Sequence, residues 1–326
     1  MSEMVAFPSI EALRHVVKGT EIRCKINNTP LPSIRYVGTV KLHGTNASVR
    51  IEGDQVFAQS RSRVLSIGDD NFGFAQFVEA NKQLFLDMRR YFIVDETLPL
   101  TIYGEWCGKG IQNGVAISQL DRHFVIFSCL IDGKFYRADI RMDMLADEIP
   151  VWNAAGVFHI HQVPAYDIVV DFARPEAAVD RLTELTVAVE NECPWGKFRG
   201  VSGVGEGIVW SPLDHSLGHD WWFKSKGLKH KKEGKAPKVE VAPEVVESMR
   251  ELAEKLLPEW RLEQGLSALR ERGLEIEPKN TGAYIKWISE DILKEETDVL
   301  EANGVEWKKI SSFVIQNARQ FFLNQP

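Results

Sequence analysis

The sequence predicts an α+β protein of antiparallel sheets with flanking helices, followed by a small all-helical domain. Three observations lead there. Short β-rich stretches edged by turn residues fill residues 34–230 without regular βα alternation. A charged stretch with Gly234, Pro237 and Pro243 follows at 229–243. Beyond it only helical periodicity remains. The 326 residues fit about two domains: a mixed domain at 1–232, a linker at 233–243 and a helical domain at 244–326.

The strand candidates, in order, are IRYVGTV, ASVRIEG, QVFAQS, LTIYGEW, HFVIFSCLI, GIVW and WWFKSK, where β-branched and aromatic residues dominate. Between them NFGFAQFVEANKQLFLDMRR (71–90) and PEAAVDRLTELTVAVEN (175–191) read as helices. In the second, Ala178, Leu182, Leu185 and Val189 recur at helical spacing. Four helical segments follow the linker, divided by Pro258, by the stretch from Gly273 to Pro278, and by Gly304. Tyr284, Ile288 and Ile292 share one face of the third, and Ile310, Phe313, Val314 and Phe321 one face of the fourth, as in a small bundle.

Composition narrows the class. Apolar content of 44% and charged content of 26% are ordinary for a globular protein. No apolar run approaches the roughly 18–20 residues of a spanning helix, and the N-terminus lacks the pattern of a secretory signal. Cys24, Cys107, Cys129 and Cys193 form no CxxC pair, which fits reduced thiols better than a disulfide frame or a zinc site. The expectation is a cytoplasmic protein with no membrane partner. A net charge of −7 does not decide for or against nucleic acid, because phosphate binding needs only a local basic surface.

The stretch KLHGTN (41–46) sets Lys41, His43 and Asn46 among apolar strand residues. A charge there costs free energy unless something offsets it. One reading is a surface lysine in a hairpin turn. The other is a nucleophile whose pKa is lowered by burial and nearby cations. Four further stretches bear on the choice. AQSRSRVL carries Arg61 and Arg63, suited to bidentate phosphate contacts. IYGEWCGKGIQ puts Glu105 at the end of a strand, and EGIVW puts Glu206 at the start of another. FKSK places Lys224 and Lys226 on one side of a strand. Together they could hold a nucleoside triphosphate and a divalent metal.

KLHGTN, IYGEW, FVIF, EGIVW and FKSK resemble, in this order, the nucleotidyltransferase motifs of covalent ligases. The likeness is to the nick-sealing RNA ligases, the branch of the double-strand-type phage enzyme and the RNA-editing ligases. KxHGTN, with histidine third, is typical of that branch, whereas DNA ligases carry KxDG; FPSIEAL and GEWCGKGIQ also resemble it. The likeness spans residues 7 to about 230. It implies a ligase adenylation domain that takes ATP and Mg²⁺ or Mn²⁺ and joins RNA 3′-OH and 5′-phosphate ends at nicks, in a chain of possible viral or phage origin. Lys41 would become lysyl-AMP, with Lys224 and Lys226 holding the α-phosphate. Glu105 would accept the ribose hydroxyl, Glu206 would support the metal or orient the lysine, and Phe127 would stack on adenine. Val40, Leu42, His43, Asn46 and Arg61 complete the implied ATP-binding set, with Asn46 and Arg61 also toward RNA. The departures are Ser128 after the stacking aromatic and Val40 before the nucleophile, where relatives carry acids; either could alter sealing without preventing adenylation.

Other features read structurally. GVSGVGEG lacks the GK[ST] ending of a phosphate loop and leads into a strand. His159 and His161, and His215 and His219, have no supporting ligand cluster. Trp221 and Trp222 would alternate across a strand, and Trp287, Trp307 and Phe321 would fill the bundle core. Nucleic-acid contacts are expected from the linker and the helical domain of a monomer. The rival readings are a DNA ligase or mRNA-capping nucleotidyltransferase, and a silent RNA-binding relative.

Overall fold

The computed structural model describes residues 4–92, 95, 97–137, 147–227, 245–302 and 305–325. It forms two compact units, Met1–Lys229 and His230–Pro326. The expected linker at 233–243 lies outside the described residues.

The first unit holds two sheets. One runs, in spatial order, β1 (Glu11–Ala12), β11 (Phe223–Lys226), β10 (Gly207–Pro212), β2 (Ser33–Lys41) and β9 (Tyr166–Asp171). The other runs β4 (Gln55–Ser60), β3 (Thr45–Glu52), β5 (Leu100–Cys107), β6 (His123–Ile131) and β7 (Lys134–Arg137), with β8 (Val157–His159) beside β6. Pairing is antiparallel except for β1 with β11 and β6 with β8. The helices of this unit are α1 (Leu13–Asn27), α2 (Phe74–Ala80), α3 (Lys82–Phe92), α4 (Ile149–Ala154), α5 (Val179–Asn191) and α6 (Pro194–Phe198).

Period-two patterning explains which face each strand buries. In β2, Ile34, Tyr36 and Val40 enter a core with Trp195, Trp210 and Phe223. In β3, Ala47, Val49 and Ile51 enter a second core with Phe74, Phe85 and Phe124. The chain therefore leaves one sheet at Lys41 and joins the other at Thr45. Only Leu42, His43 and Gly44 make the crossing, and that crossing is why polar residues interrupt the strand pattern there. Gly44 is required by space: a Cβ would lie 2.4 Å from the Trp106 carbonyl oxygen and 2.7 Å from Cys107 Cβ.

Several expectations need correction. Residues 71–90 form two helices, because the chain breaks at Asn81, whose side-chain amide donates to the Phe77 carbonyl (2.9 Å) in competition with the backbone. Trp221 and Trp222 do not alternate in a strand: residues 219–221 form a 3₁₀ turn, with Trp222 buried and the Arg23 guanidinium 4.7 Å from the Trp221 ring centroid. His159 serves as the N-cap of the next turn, accepting from the His161 N–H, a structural role.

The second unit is helical: α7 (Val245–Leu256), α8 (Glu259–Glu271), α9 (Thr281–Ala302) and α10 (Trp307–Leu323). Its core gathers Tyr284, Ile288, Ile292, Ile310, Val314 and Phe322. Phe322, rather than Phe321, continues the buried i, i+4 series through Ala318, so Phe313 and Phe321 pack at the core's margin.

Candidate active site

The strand register assembles the site. Gly207, just after Glu206, pairs with Lys41 on one side and Lys226 on the other. One end of the first sheet therefore collects Lys41, Glu206 and Lys226 from three strands. Gly207 has φ +153°, and a Cβ would lie 2.1 Å from the Ser225 carbonyl oxygen, so glycine is needed beside Glu206. In the second sheet Asn46 pairs directly with Glu105.

Glu206 is the hub. Its Oε2 accepts from Lys41 Nζ at 2.6 Å and lies 3.3 Å from His43 Nδ1. Its Oε1 lies 3.2 Å from Lys226 Nζ. Burial would raise this carboxyl, but the charges of Lys41, Lys226 and His43 outweigh it and hold Glu206 well below the usual carboxylate range. Glu105 behaves oppositely: burial pushes it up to about 7 against the pull of Lys41. Its Oε1 accepts the Gly44 N–H at 2.9 Å.

Gln112, absent from the expected set, donates to the Gly44 carbonyl (3.4 Å), so both sides of the crossing peptide are held. The signal available was its place in GKGIQ, where an amide follows glycines that bring the loop close. Behind Gly44, Trp195 Nε1 donates to His123 Nε2 (3.0 Å), and His123 Nδ1 lies 2.7 Å from the Asp121 carbonyl. Burial drives His123 down to about 4, leaving a neutral ring that braces this wall.

The remaining expected residues divide clearly. Asn46 is buried beside Glu105, and Lys224 lies two residues before Lys226 on β11, half-buried. Arg61 is exposed, with its charge close enough to lower Glu105. Arg63 instead ties its own loop, donating to the Asp69 and Asp70 carbonyls. Val40 and Leu42 bury their side chains in the core, leaving only main-chain groups for a ligand. Phe124 is fully buried. Phe127 is half-buried at a β-bulge: Gly104 pairs with Ile126 and Tyr103 with Ser128, so Phe127 has no partner across β5. A bulge re-aims a side chain, and the Phe127 ring meets Phe7 edge-on at 5.0 Å between centroids. Ser128 is buried and donates to the Tyr136 carbonyl (2.7 Å), a bond an acid at that position would not make.

Cations thus outnumber carboxylates around one buried hub, an arrangement that suits an anionic ligand. Among the described residues no group of three His, Cys, Asp or Glu could hold a metal ion. Glu206, whose buried Oε1 faces the Lys226 ammonium at 3.2 Å without a hydrogen bond, is the acidic donor on offer. That fits Mg²⁺ or Mn²⁺ only if substrate phosphates complete the shell, the usual habit of Mg²⁺. No helix among the described residues is long and apolar enough to cross a membrane.

A profile of the RNA ligase family matches residues 34–226, more than half of the chain. Among solved structures, the chain is similar to several of a Naegleria gruberi RNA ligase. A lysine-to-alanine variant with ATP and Mn is 16% identical (TM-score 0.45), and the enzyme with PPi is 17% identical (TM-score 0.45). A second lysine-to-alanine variant, without ligand, is 18% identical (TM-score 0.47). In each case the match covers 68% of this chain and 56% of the other, so the chain spans little more than half the length of those proteins.

Proposed function

The chain belongs to the RNA ligase family, and from that premise we propose that it is an ATP-dependent RNA ligase that joins 3′-OH and 5′-phosphate ends at nicks in duplex RNA. Residues 1–232 are the nucleotidyltransferase domain, 233–243 the linker and 244–326 the helical domain. The observation that carries the reading is the Lys41–Glu206 pair at 2.6 Å, flanked by Lys226 and His43 at the end of a sheet.

In the first step Lys41 Nζ attacks the α-phosphorus of ATP. A P–N bond forms, the P–O bond to pyrophosphate breaks, and the ammonium proton that Lys41 sheds to become the neutral nucleophile passes to solvent, to which its side chain is partly open. Glu206, ionised and close, holds Lys41 aimed along the end of β2. Lys226 and Lys224 supply positive charge where the α-phosphate oxygens gather it, and placed cations of this kind stabilise such a transition state strongly. Glu206 and the substrate phosphates would hold a Mg²⁺ or Mn²⁺, which would supply charge to offset the departing pyrophosphate. Glu105, with Oε1 engaged by Gly44, offers its other oxygen to the ribose. Phe127 offers a face to adenine, and Asn46 and Arg61 face the polynucleotide. The same cations then serve AMP transfer to the 5′-phosphate and attack by the neighbouring 3′-OH.

Incubation with α-labelled ATP or GTP and Mg²⁺ or Mn²⁺, followed by denaturing separation, tests this reading. Label from ATP that is absent in Lys41→Ala supports it, and joining of a nicked RNA duplex completes it. Label from GTP would move the protein to capping chemistry, and label from neither would leave a binding protein.

A further inference from the structure

α1 is not part of the motif set, and its outer face has no assigned role. Its sequence, LRHVVKGTEIRCKIN, carries Arg14, His15, Lys18, Arg23 and Lys25 against the single acid Glu21. Val16 and Thr20 are buried, fixing which side faces the protein. Arg14, Lys18 and Lys25 are all exposed. At 3.6 residues per turn they fall within about 40° of one another around the axis, about 6 Å and 10 Å apart along it. Among the described residues, Lys18 and Lys25 make no ion pair.

The helix is also joined to the site. Ala12, the residue before α1, pairs with Lys224 on β11. The cationic row therefore starts beside the strand that carries Lys224 and Lys226.

We infer that the outer face of α1 is a docking rail for the phosphate backbone of an RNA strand that passes the Lys41 site, an inference that rests on the ligase reading. Arg14, Lys18 and Lys25 each neutralise a phosphate. The contacts are sequence-independent and release counterions, as backbone contacts do. Exposed Ile22 and Ile26, 51% and 76% accessible, border the row on the side away from Glu21. Glu21 lies on its other border, one turn from Lys18 and one from Lys25, and opposes the same phosphates.

The test is equilibrium binding of the full chain to a nicked RNA duplex across a salt series, with ATP labelling of Lys41 measured in parallel. In the triple variant Arg14→Ala, Lys18→Ala, Lys25→Ala the dependence of log affinity on log salt becomes shallower by about 3, and affinity at physiological salt falls ~10-fold or more. Glu21→Lys does the reverse, tightening binding and steepening the slope by about 1, a gain that misfolding cannot mimic. Lys41 labelling is unchanged in both. Unaltered RNA affinity and slope in the triple variant, with labelling intact, would overturn the rail. So would loss of affinity for a second protein rather than for RNA. Absence of label on wild-type Lys41 overturns the ligase reading and, with it, the assignment of this strand to that site.

Discussion

The two units each bury an ionic cluster, and the clusters are built on opposite plans. In the helical unit Arg261, fully buried, donates to Asp291 (2.8 Å), to Glu296 (3.2 Å) and to the Leu256 carbonyl. Its single charge is met by two carboxylates, and its surroundings are packed helix. At the junction of the sheets, Lys41, Lys226 and His43 crowd one buried carboxylate, with Lys224 and Arg61 nearby. The first cluster is complete as it stands. The second has positive charge to spare and is complete only with an anion. Burial of charge therefore does not mark function by itself; the sign of the imbalance does.

The largest expected effect sits at the cation-rich cluster. Lys41→Ala abolishes covalent transfer of AMP and, because Lys226 and His43 still face Glu206, leaves a cooperative thermal transition at a lower midpoint, as read by labelling and by circular dichroism. The Arg261 cluster responds in the opposite way. Arg261→Ala strands buried Glu296 and costs about 3–5 kcal/mol of stability, seen in denaturant unfolding, with no part in the chemistry of Lys41. Retained stability in Arg261→Ala, or unfolding in Lys41→Ala, would break the contrast.

A finer contrast separates two aromatics on one strand. Phe124, in the core, costs about 3–5 kcal/mol of stability when cut to alanine. Phe127, at the bulge, costs about 1–3 kcal/mol of nucleotide affinity instead, measured by ATP titration. Equal loss of stability in both would return Phe127 to the core.

The smallest effects are in pH. Glu206, held below its unfolded value, stabilises the fold above about pH 4.5, and that contribution is lost as pH falls further. Glu105, raised to about 7, keeps a proton in the folded protein that the unfolded chain releases near pH 4.5. Its contribution is therefore present at low pH and lost as pH climbs from about 4.5 toward 7. Glu105→Gln flattens stability across that upper window and leaves the acid limb, set by Glu206, unchanged. Urea midpoints at a series of pH values would show it; an upper window that keeps its slope in Glu105→Gln would assign the titration to another group.

Much of this was legible in sequence. The strands that carry Lys41, Glu105, Glu206 and Lys226 announce themselves by β-branched residues at period two, and the four bundle helices by i, i+4 apolar residues. The motifs also stand in their family order. Less local features were hidden. That KLHGTN crosses between sheets follows from the register of β2 with β10 and of β3 with β5, which only the fold defines. The bulge that sets Phe127 apart from Phe124 is one unpaired residue, invisible to periodicity. α1 went unseen because Ile22 and Ile26 point outward and spoil its apolar stripe, the same feature that gives the helix its outer face. Gln112 carries no charge and no motif signature of its own, and its contact with Gly44 spans two loops.

The central claim is that Lys41, held by Glu206, is the group that takes AMP. Peptide mapping by mass spectrometry after incubation of the wild-type protein with ATP and Mg²⁺ tests it most directly. The account predicts AMP on the peptide containing Lys41, joined through its Nζ. AMP on Lys224, Lys226 or another residue, with Lys41 unmodified, would contradict it.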